Sequence, residues 1–369
     1  MRVLYVETAF LGDLLLSIPS LKWIKRTYPD VRITLYARKG VTQPLLELGL
    51  VDEVIAVNKD SALSRYDAKE ALLKKDFDIV FCPHRSFSTA AALSRVRAKK
   101  KIGYSGFQQF WVFNKRVKRR LDWPEAIRQL QLVATENSDL SQLLDEFGHR
   151  DVEKINQIES LSGRPGEALV PDWASMGLRA EIEKYSETEE GQAILERLRV
   201  ALGGFHVDIN SRFAVLGPGS VWPTKRWSHY IDLARQLVNA EVPVVLIGAP
   251  NEQEICERIA DAVSGVVTLA GATTVFESLM LLAKAETLFT NDCGAMHLGS
   301  VAECKTVSVF GPTTLDLGYR PWQNKAVVVQ NKKLDCRPCG KHGHASCPIK
   351  THECMKSIAP SQVLEASES

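Results

Sequence analysis

Short apolar runs alternate with amphipathic stretches through both halves of the chain, and that alternation predicts parallel sheets covered by helices on both faces. In the first half, Val3 to Val6, Val31 to Tyr36, Val54 to Val57 and Ile79 to Cys82 read as strands. Leu14 to Arg26, Val41 to Leu48 and Ala68 to Lys75 carry helical spacing between them, the first ending before Pro29. From Asn210 the pattern restarts, with strands at Phe213 to Leu216, Val242 to Ile247, Val267 to Leu269, Thr287 to Thr290 and Thr306 to Phe310. Helices are expected at Trp227 to Asn239, Glu252 to Val263, Val275 to Lys284 and Ala295 to Val301, and a last one at Pro360 to Ala366. Leu140 to Leu202 is charged and helix-rich with a break at Gly163-Arg-Pro-Gly166, and reads as a helical connection. The expected division is therefore an N-terminal α/β domain with that connection over 1–200 and a C-terminal α/β domain over 201–369. Two such halves facing across a cleft would bind ligands at the carboxyl ends of their strands.

Composition narrows this little. A length of 369 residues suits two domains, and 45% hydrophobic with 24% charged residues is the balance of a folded protein. A formal net charge of +2 gives no electrostatic reason to expect nucleic acid as a partner. The opening Met1-Arg-Val-Leu-Tyr-Val-Glu7 reads as a strand rather than a secretory signal, and no run of roughly 18 apolar residues is long enough to span a bilayer. A cytoplasmic location is expected, where structural disulfides are disfavoured.

Four constellations carry candidate chemistry. Thr8-Ala-Phe-Leu-Gly-Asp13 joins a strand to a helix; Gly12 permits a tight loop, and Asp13 is either a helix cap or a carboxylate placed to accept a proton from an attacking hydroxyl. Gly217-Pro-Gly-Ser-Val-Trp-Pro-Thr-Lys-Arg-Trp227 also links strand to helix. Its glycines let backbone approach a ligand, and Ser220, Thr224, Lys225 and Arg226 supply donors and charge for a phosphate, in a spacing unlike the Walker loop. In Thr290-Asn-Asp-Cys-Gly-Ala-Met-His297, the N–H groups around Gly294 would point at a diphosphate with the helix dipole behind them, and His297 could donate to a phosphate oxygen. Asp292 is placed to cap the helix, bind a ribose or position a lysine, and Phe310-Gly-Pro-Thr-Thr314 would line the same site. The fourth, Cys336-x2-Cys339-x7-Cys347-x6-Cys354, suits a closed structural zinc site, with free thiols or disulfides as the alternatives and no catalytic duty implied. Separately, Arg95-Val-Arg-Ala-Lys-Lys-Lys101 and Arg116-Val-Lys-Arg-Arg120 flank Phe107, Phe110, Trp111 and Phe113. Lys99, Lys100, Lys101 and Arg116 are candidate contacts to an anionic lipid or phosphorylated acceptor; a solvated basic face is the plainer reading.

In their order these motifs resemble glycosyltransferase family nine, the ADP-heptose:lipopolysaccharide heptosyltransferases. The resemblance runs from Gly12-Asp13 through Lys225-Arg226-Trp227 and Thr290-Asn-Asp-Cys-Gly-x-Met-His297 to Phe310-Gly-Pro-Thr313, and the cysteine-bearing tail resembles members related to the second inner-core enzyme. It implies a GT-B fold of two Rossmann-like domains, an acceptor-side N-terminal half and a nucleotide-side C-terminal half. It implies inverting transfer of heptose from ADP-heptose to the lipopolysaccharide inner core, peripheral contact with the cytoplasmic face of the inner membrane, and no cofactor required for catalysis. By the same resemblance Asp13 would be the base, with Gly12 on the acceptor side. Lys225, the N–H groups near Gly294 and His297 would stabilise the departing diphosphate, and Glu252 matches a family position that contacts the nucleotide ribose; with the loop residues Gly217, Ser220, Thr224 and Arg226, and with Asp292 and Cys293, it completes the candidate donor-binding set. The chain departs from the family pattern at Cys293, commonly Ser or Thr, and at Glu7, where many relatives carry a basic residue. Two other readings compete: a GT-B protein using another nucleotide sugar (or a GT-B-like sugar-nucleotide epimerase), and a non-catalytic protein that binds nucleotide sugar or glycolipid.

Overall fold

The structure, a computed structural model, describes all residues except 108–109, 150–154, 156–169, 205–206 and 369. The break expected at Gly163 to Gly166 lies outside the described residues. The chain divides into two compact units, Met1–Lys154 and Ile155–Ser369.

The first unit holds strands β1 (Arg2–Glu7), β2 (Arg32–Arg38), β3 (Glu53–Val57), β4 (Asp76–Cys82), β5 (Arg97–Tyr104) and β6 (Lys115–Val117) in the order β3-β2-β1-β4-β5-β6, with each neighbouring pair parallel. This is the doubly wound order, in which the strand sequence reverses between β1 and β4. Helices cover both faces, so Val3, Leu4, Tyr5 and Val6 are all buried, and a run with no polar alternation is stable as a strand. The helix expected at Leu14 to Arg26 is split into Leu11–Leu15 and Ile18–Thr27, because Pro19 at the start of the second lacks an N–H and suits only a first turn.

The second unit repeats the plan with β7 (Ala214–Gly217), β8 (Val244–Leu246), β9 (Val266–Thr268), β10 (Thr287–Asn291), β11 (Lys305–Phe310) and β12 (Ala326–Gln330), ordered β12-β11-β10-β7-β8-β9. Its reversal falls between β7 and β10. Helix Tyr230–Asn239 shows how the layers seal: Tyr230, Leu233, Ala234 and Leu237 recur at helical spacing and bury one face in the same core as Leu216, Val244 and Leu246.

The unit boundary lies upstream of residue 200. Helices Arg179–Ser186 and Glu189–Gly203 belong with the second unit because they dock on helix Val275–Lys284. Tyr185 meets Phe276 edge-on at 4.9 Å, and Arg197 pairs with Glu277 at 2.6 Å. Glu277 also completes a capping box there, accepting the Thr274 N–H at 2.7 Å while Thr274 Oγ1 accepts the Glu277 N–H at 3.1 Å.

Candidate functional site

At the reversal in the first unit, β1 ends on Glu7, a buried carboxylate whose Oε1 accepts the Ala9 N–H at 2.8 Å and so shapes the turn before Asp13. Asp13 is the third residue of helix Leu11–Leu15, and its Oδ2 accepts the Phe10 N–H at 3.3 Å. Part of the capping role is therefore real, from inside the helix rather than from the cap position. Gly12 is buried in the same turn, its carbonyl accepting the Leu16 N–H at 3.0 Å. Helix Glu125–Ala134 fixes this loop from behind: Gln129 Nε2 donates to the Asp13 carbonyl at 3.1 Å, and the Tyr5 hydroxyl donates to Gln129 Oε1 at 3.0 Å. Across the reversal, Thr8 Oγ1 pairs with His84 Nδ1 at 3.0 Å and Thr89 Oγ1 with the same nitrogen at 2.8 Å.

Three carboxylates shape the electrostatics. Burial, and then the Glu125 charge, push the Asp13 carboxyl up to about 6, opposed by the Phe10 N–H and by Arg119. Burial and the Asp13 charge raise Glu7 well above the ordinary carboxylate range. Glu125 is held by Arg119 and by Arg128, the latter at 3.0 Å. A carboxylate titrating near neutrality is the kind of group that takes a proton from a hydroxyl efficiently.

The expected acceptor-side lysines are not brought to Asp13. Lys100 is level with Ile79 and so with Val3, about 13 Å along the strands from Glu7 at roughly 3.3 Å per residue. Lys99 pairs with Asp78 at 2.7 Å, Lys100 with Glu136 at 2.5 Å, and Lys101 Nζ donates to the Leu93 carbonyl at 2.9 Å. Arg116, exposed on β6, is level with Gly103 toward the carboxyl end.

In the second unit the Gly217 loop, the start of helix Gly294–Val301 and the Phe310 loop converge on Asp292. Its Oδ2 accepts Lys225 Nζ at 2.6 Å and Thr313 Oγ1 at 2.6 Å, with both charged side chains nearly buried. His297 lies one turn into the helix; burial pushes its imidazole down to about 4, and the buried Nδ1 has no hydrogen-bond partner. Cys293 stands at the helix cap position in extended conformation, its sulfur 3.3 Å from Thr290 Oγ1, which itself donates to the Gly217 carbonyl at 3.1 Å. The result is a lysine, a neutral imidazole and the N-terminal end of a helix in one unit, a combination suited to a diphosphate.

Several expected donor residues brace the loop itself. Arg226 Nε donates to the carbonyl of buried Ser220 at 2.9 Å. Thr224 was expected to offer its hydroxyl to a phosphate, but that hydroxyl donates to the His344 carbonyl at 3.0 Å and accepts the His344 N–H at 2.7 Å, which commits it. Glu252 Oε2 accepts the Ala249 N–H at 2.9 Å, and its carboxyl lies so close to Gly219 that a Cβ there would fall 2.1 Å from Cδ.

Asn291 is the organising residue that sequence reasoning passed over. Fully buried at the end of β10, it accepts the Trp227 N–H at 3.1 Å and the Tyr230 hydroxyl at 3.2 Å, and donates to the carbonyls of Pro218 at 2.8 Å and Gly219 at 3.2 Å. The available signal was an amide at the end of an apolar strand, where a buried polar group needs partners.

The tail thiols are the donor set zinc prefers. Cys336, Cys339, Cys347 and Cys354 are nonetheless free, and among the described residues no group of three His, Cys, Asp or Glu side chains is placed to hold a metal ion. Their arrangement does not fit the expected site.

Residues 65–349 match the family model "Glycosyltransferase family 9 (heptosyltransferase)". The lipooligosaccharide heptosyltransferase 2 of Campylobacter jejuni is 32% identical over 160 residues, a match spanning 42% of this chain and about half (49%) of that relative. The corresponding Haemophilus influenzae enzyme is 22% identical over 99% of this chain and 98% of its own. The solved Escherichia coli ADP-heptose lipopolysaccharide heptosyltransferase II superposes with a TM-score of 0.72 at 21% identity, covering 100% of this chain and 98% of that one, and so shares its GT-B fold. With the family model spanning most of the sequence, the chain belongs to glycosyltransferase family 9, the heptosyltransferases.

Proposed function

We propose that the chain transfers heptose, with inversion, from ADP-heptose to the inner core of lipopolysaccharide. The observation that carries the reading is the convergence of Lys225 and Thr313 on Asp292 beside the start of helix Gly294–Val301. The Asp13 carboxylate takes the proton of the acceptor hydroxyl as its oxygen forms a bond to the anomeric carbon. The bond from that carbon to the diphosphate oxygen breaks, and ADP leaves with the electron pair. Negative charge growing on the diphosphate is met by the Lys225 ammonium, the helix N–H groups and a hydrogen bond from neutral His297. Donor and acceptor identity are supported by the names of full-length relatives, among them the lipopolysaccharide heptosyltransferase 2 of Salmonella typhimurium, 22% identical over 89% of this chain.

The deciding experiment offers ADP-heptose, UDP-sugars and GDP-sugars in competition with a heptosylated Kdo-lipid A acceptor. Transfer from ADP-heptose alone supports the reading, and transfer from another donor overturns the substrate. Work at the cytoplasmic face of the inner membrane follows from a lipid-anchored acceptor. Exposed Phe107, Phe110 and Trp111, followed in the chain by exposed Arg116 and Lys118, suit an anionic surface. The contact proposed is peripheral; among the described residues no helix is long and apolar enough to cross a membrane. Flotation with phosphatidylglycerol vesicles tests it; binding unchanged in Phe107→Ser/Trp111→Ser would refute it.

A further inference from the structure

The cysteine-rich segment is packed against both loops that supply Asp292 with its partners. On one side, His344 is bonded reciprocally to Thr224, the residue before Lys225, and the His352 ring meets the Thr224 carbonyl at 2.7 Å. His342 stacks on Trp222 with 6.2 Å between ring centres. Gly343 sits so close that a Cβ would fall 2.7 Å from Trp222 Cβ and 2.9 Å from Thr224 Oγ1. On the other side, the Cys339 N–H donates to the Pro312 carbonyl at 2.8 Å. The Arg337 guanidinium donates to the carbonyls of Gly311 and Thr313, the latter at 2.8 Å, to the Asn331 carbonyl at 2.5 Å and to Gln330 Oε1 at 3.0 Å.

We infer that this segment is a clamp on the donor-phosphate site, and that Arg337 is a positioning residue acting on Lys225 through Thr313 and Asp292. The inference rests on the donor reading above. A guanidinium presents its donors in one rigid plane, so a single side chain fixes the Phe310–Thr313 backbone and the end of β12 together. Thr313 then delivers its hydroxyl to the same oxygen that holds Lys225, while His344 and His352 hold the backbone one residue before that lysine. Neither arm needs a metal ion.

The test is ADP binding by calorimetry, with thermal melting alongside, for the unaltered protein, Arg337→Ala, Lys225→Met and the double variant. Arg337→Ala should weaken ADP about tenfold, or ~1.4 kcal/mol, when Lys225 is present. In the Lys225→Met background it should change ADP affinity less than about twofold, because residues acting through one network are not additive. A merely structural role lowers the melting temperature in both backgrounds without that coupling. Undiminished ADP affinity in folded Arg337→Ala, or equal losses in both backgrounds, would overturn the clamp. If Arg337→Ala does not fold, Gly343→Ala displaces the opposite arm and is read the same way. No affinity of the unaltered protein for ADP would sink the donor reading and the clamp together.

Discussion

Asp13→Asn should make the protein more stable while abolishing transfer. Burial, and then the Glu125 charge, push the Asp13 carboxyl from its ordinary 3.8 up to about 6. The folded state therefore holds the proton more tightly than the unfolded one. Stability contributed by the protonated form is complete below about pH 4 and is lost as pH rises to 6 and beyond. That displacement bounds the neutral-pH penalty at about 3 kcal/mol, and solvent reaching this half-buried group reduces it toward about 2. Asparagine carries no charge to desolvate, and its carbonyl can still accept the Phe10 N–H. It also removes a charge that raises Glu7. Urea unfolding at pH 4, 5.5 and 7.5 reads the effect: the two proteins should be nearly equal at pH 4, with the variant ahead by about 2–3 kcal/mol at 7.5. A gap independent of pH, or a variant less stable at 7.5, would refute the electrostatic account. Retained transfer in a folded variant would reduce Asp13 to a helix-turn residue. In the unaltered enzyme the rate should climb with pH through a limb near 6 and then level, as the base loses its proton.

Other outcomes follow from the second unit and from β5. Asn291→Ala should cost about 3 kcal/mol by urea unfolding, since it strands the Trp227 N–H and the Pro218 and Gly219 carbonyls, and should weaken ADP binding by loosening the Gly217 loop. Burial holds His297 at about 4, so the unfolded state takes up its proton first and stability is lost as pH falls from 6.5 toward 4. His297→Gln should blunt that acid loss by up to about 3 kcal/mol, and an unchanged pH profile would show that His297 is not its source. Lys99→Ala/Lys100→Ala should leave the acceptor KM within about twofold, because both lysines are engaged by Asp78 and Glu136 and lie far along β5 from Asp13.

What the sequence disclosed depended on how locally the information is written. Strands such as Val3 to Val6 and Thr306 to Phe310 are buried on both faces, so composition alone marks them. β5 looks like a basic patch in the sequence because the partners of Arg97, Lys99 and Lys100 are Asp76, Asp78 and Glu136, carboxylates distant in the chain. Ala326–Gln330 carried an apolar signal that went unassigned. In each unit the candidate residues, Asp13 in the first and Lys225, Asp292 and His297 in the second, follow closely on a strand end, where a polar residue is conspicuous. Thr224 looked like a ligand because nothing nearby reveals that His344, 120 residues on, occupies its hydroxyl. Gln129 was invisible for the same reason, since its duty to Asp13 crosses 116 residues.

The position of the unit boundary bears on recombination between relatives. A crossover between Lys154 and Ile155 would keep each core with its own helices. One placed near residue 200 would import helices Arg179–Ser186 and Glu189–Gly203 from a different parent than the surface they cover, mismatching Tyr185 with Phe276 and Arg197 with Glu277. The natural unit of inheritance for the second unit therefore starts well before its first strand, and hybrid enzymes built on strand boundaries alone would carry a foreign seam through their interior.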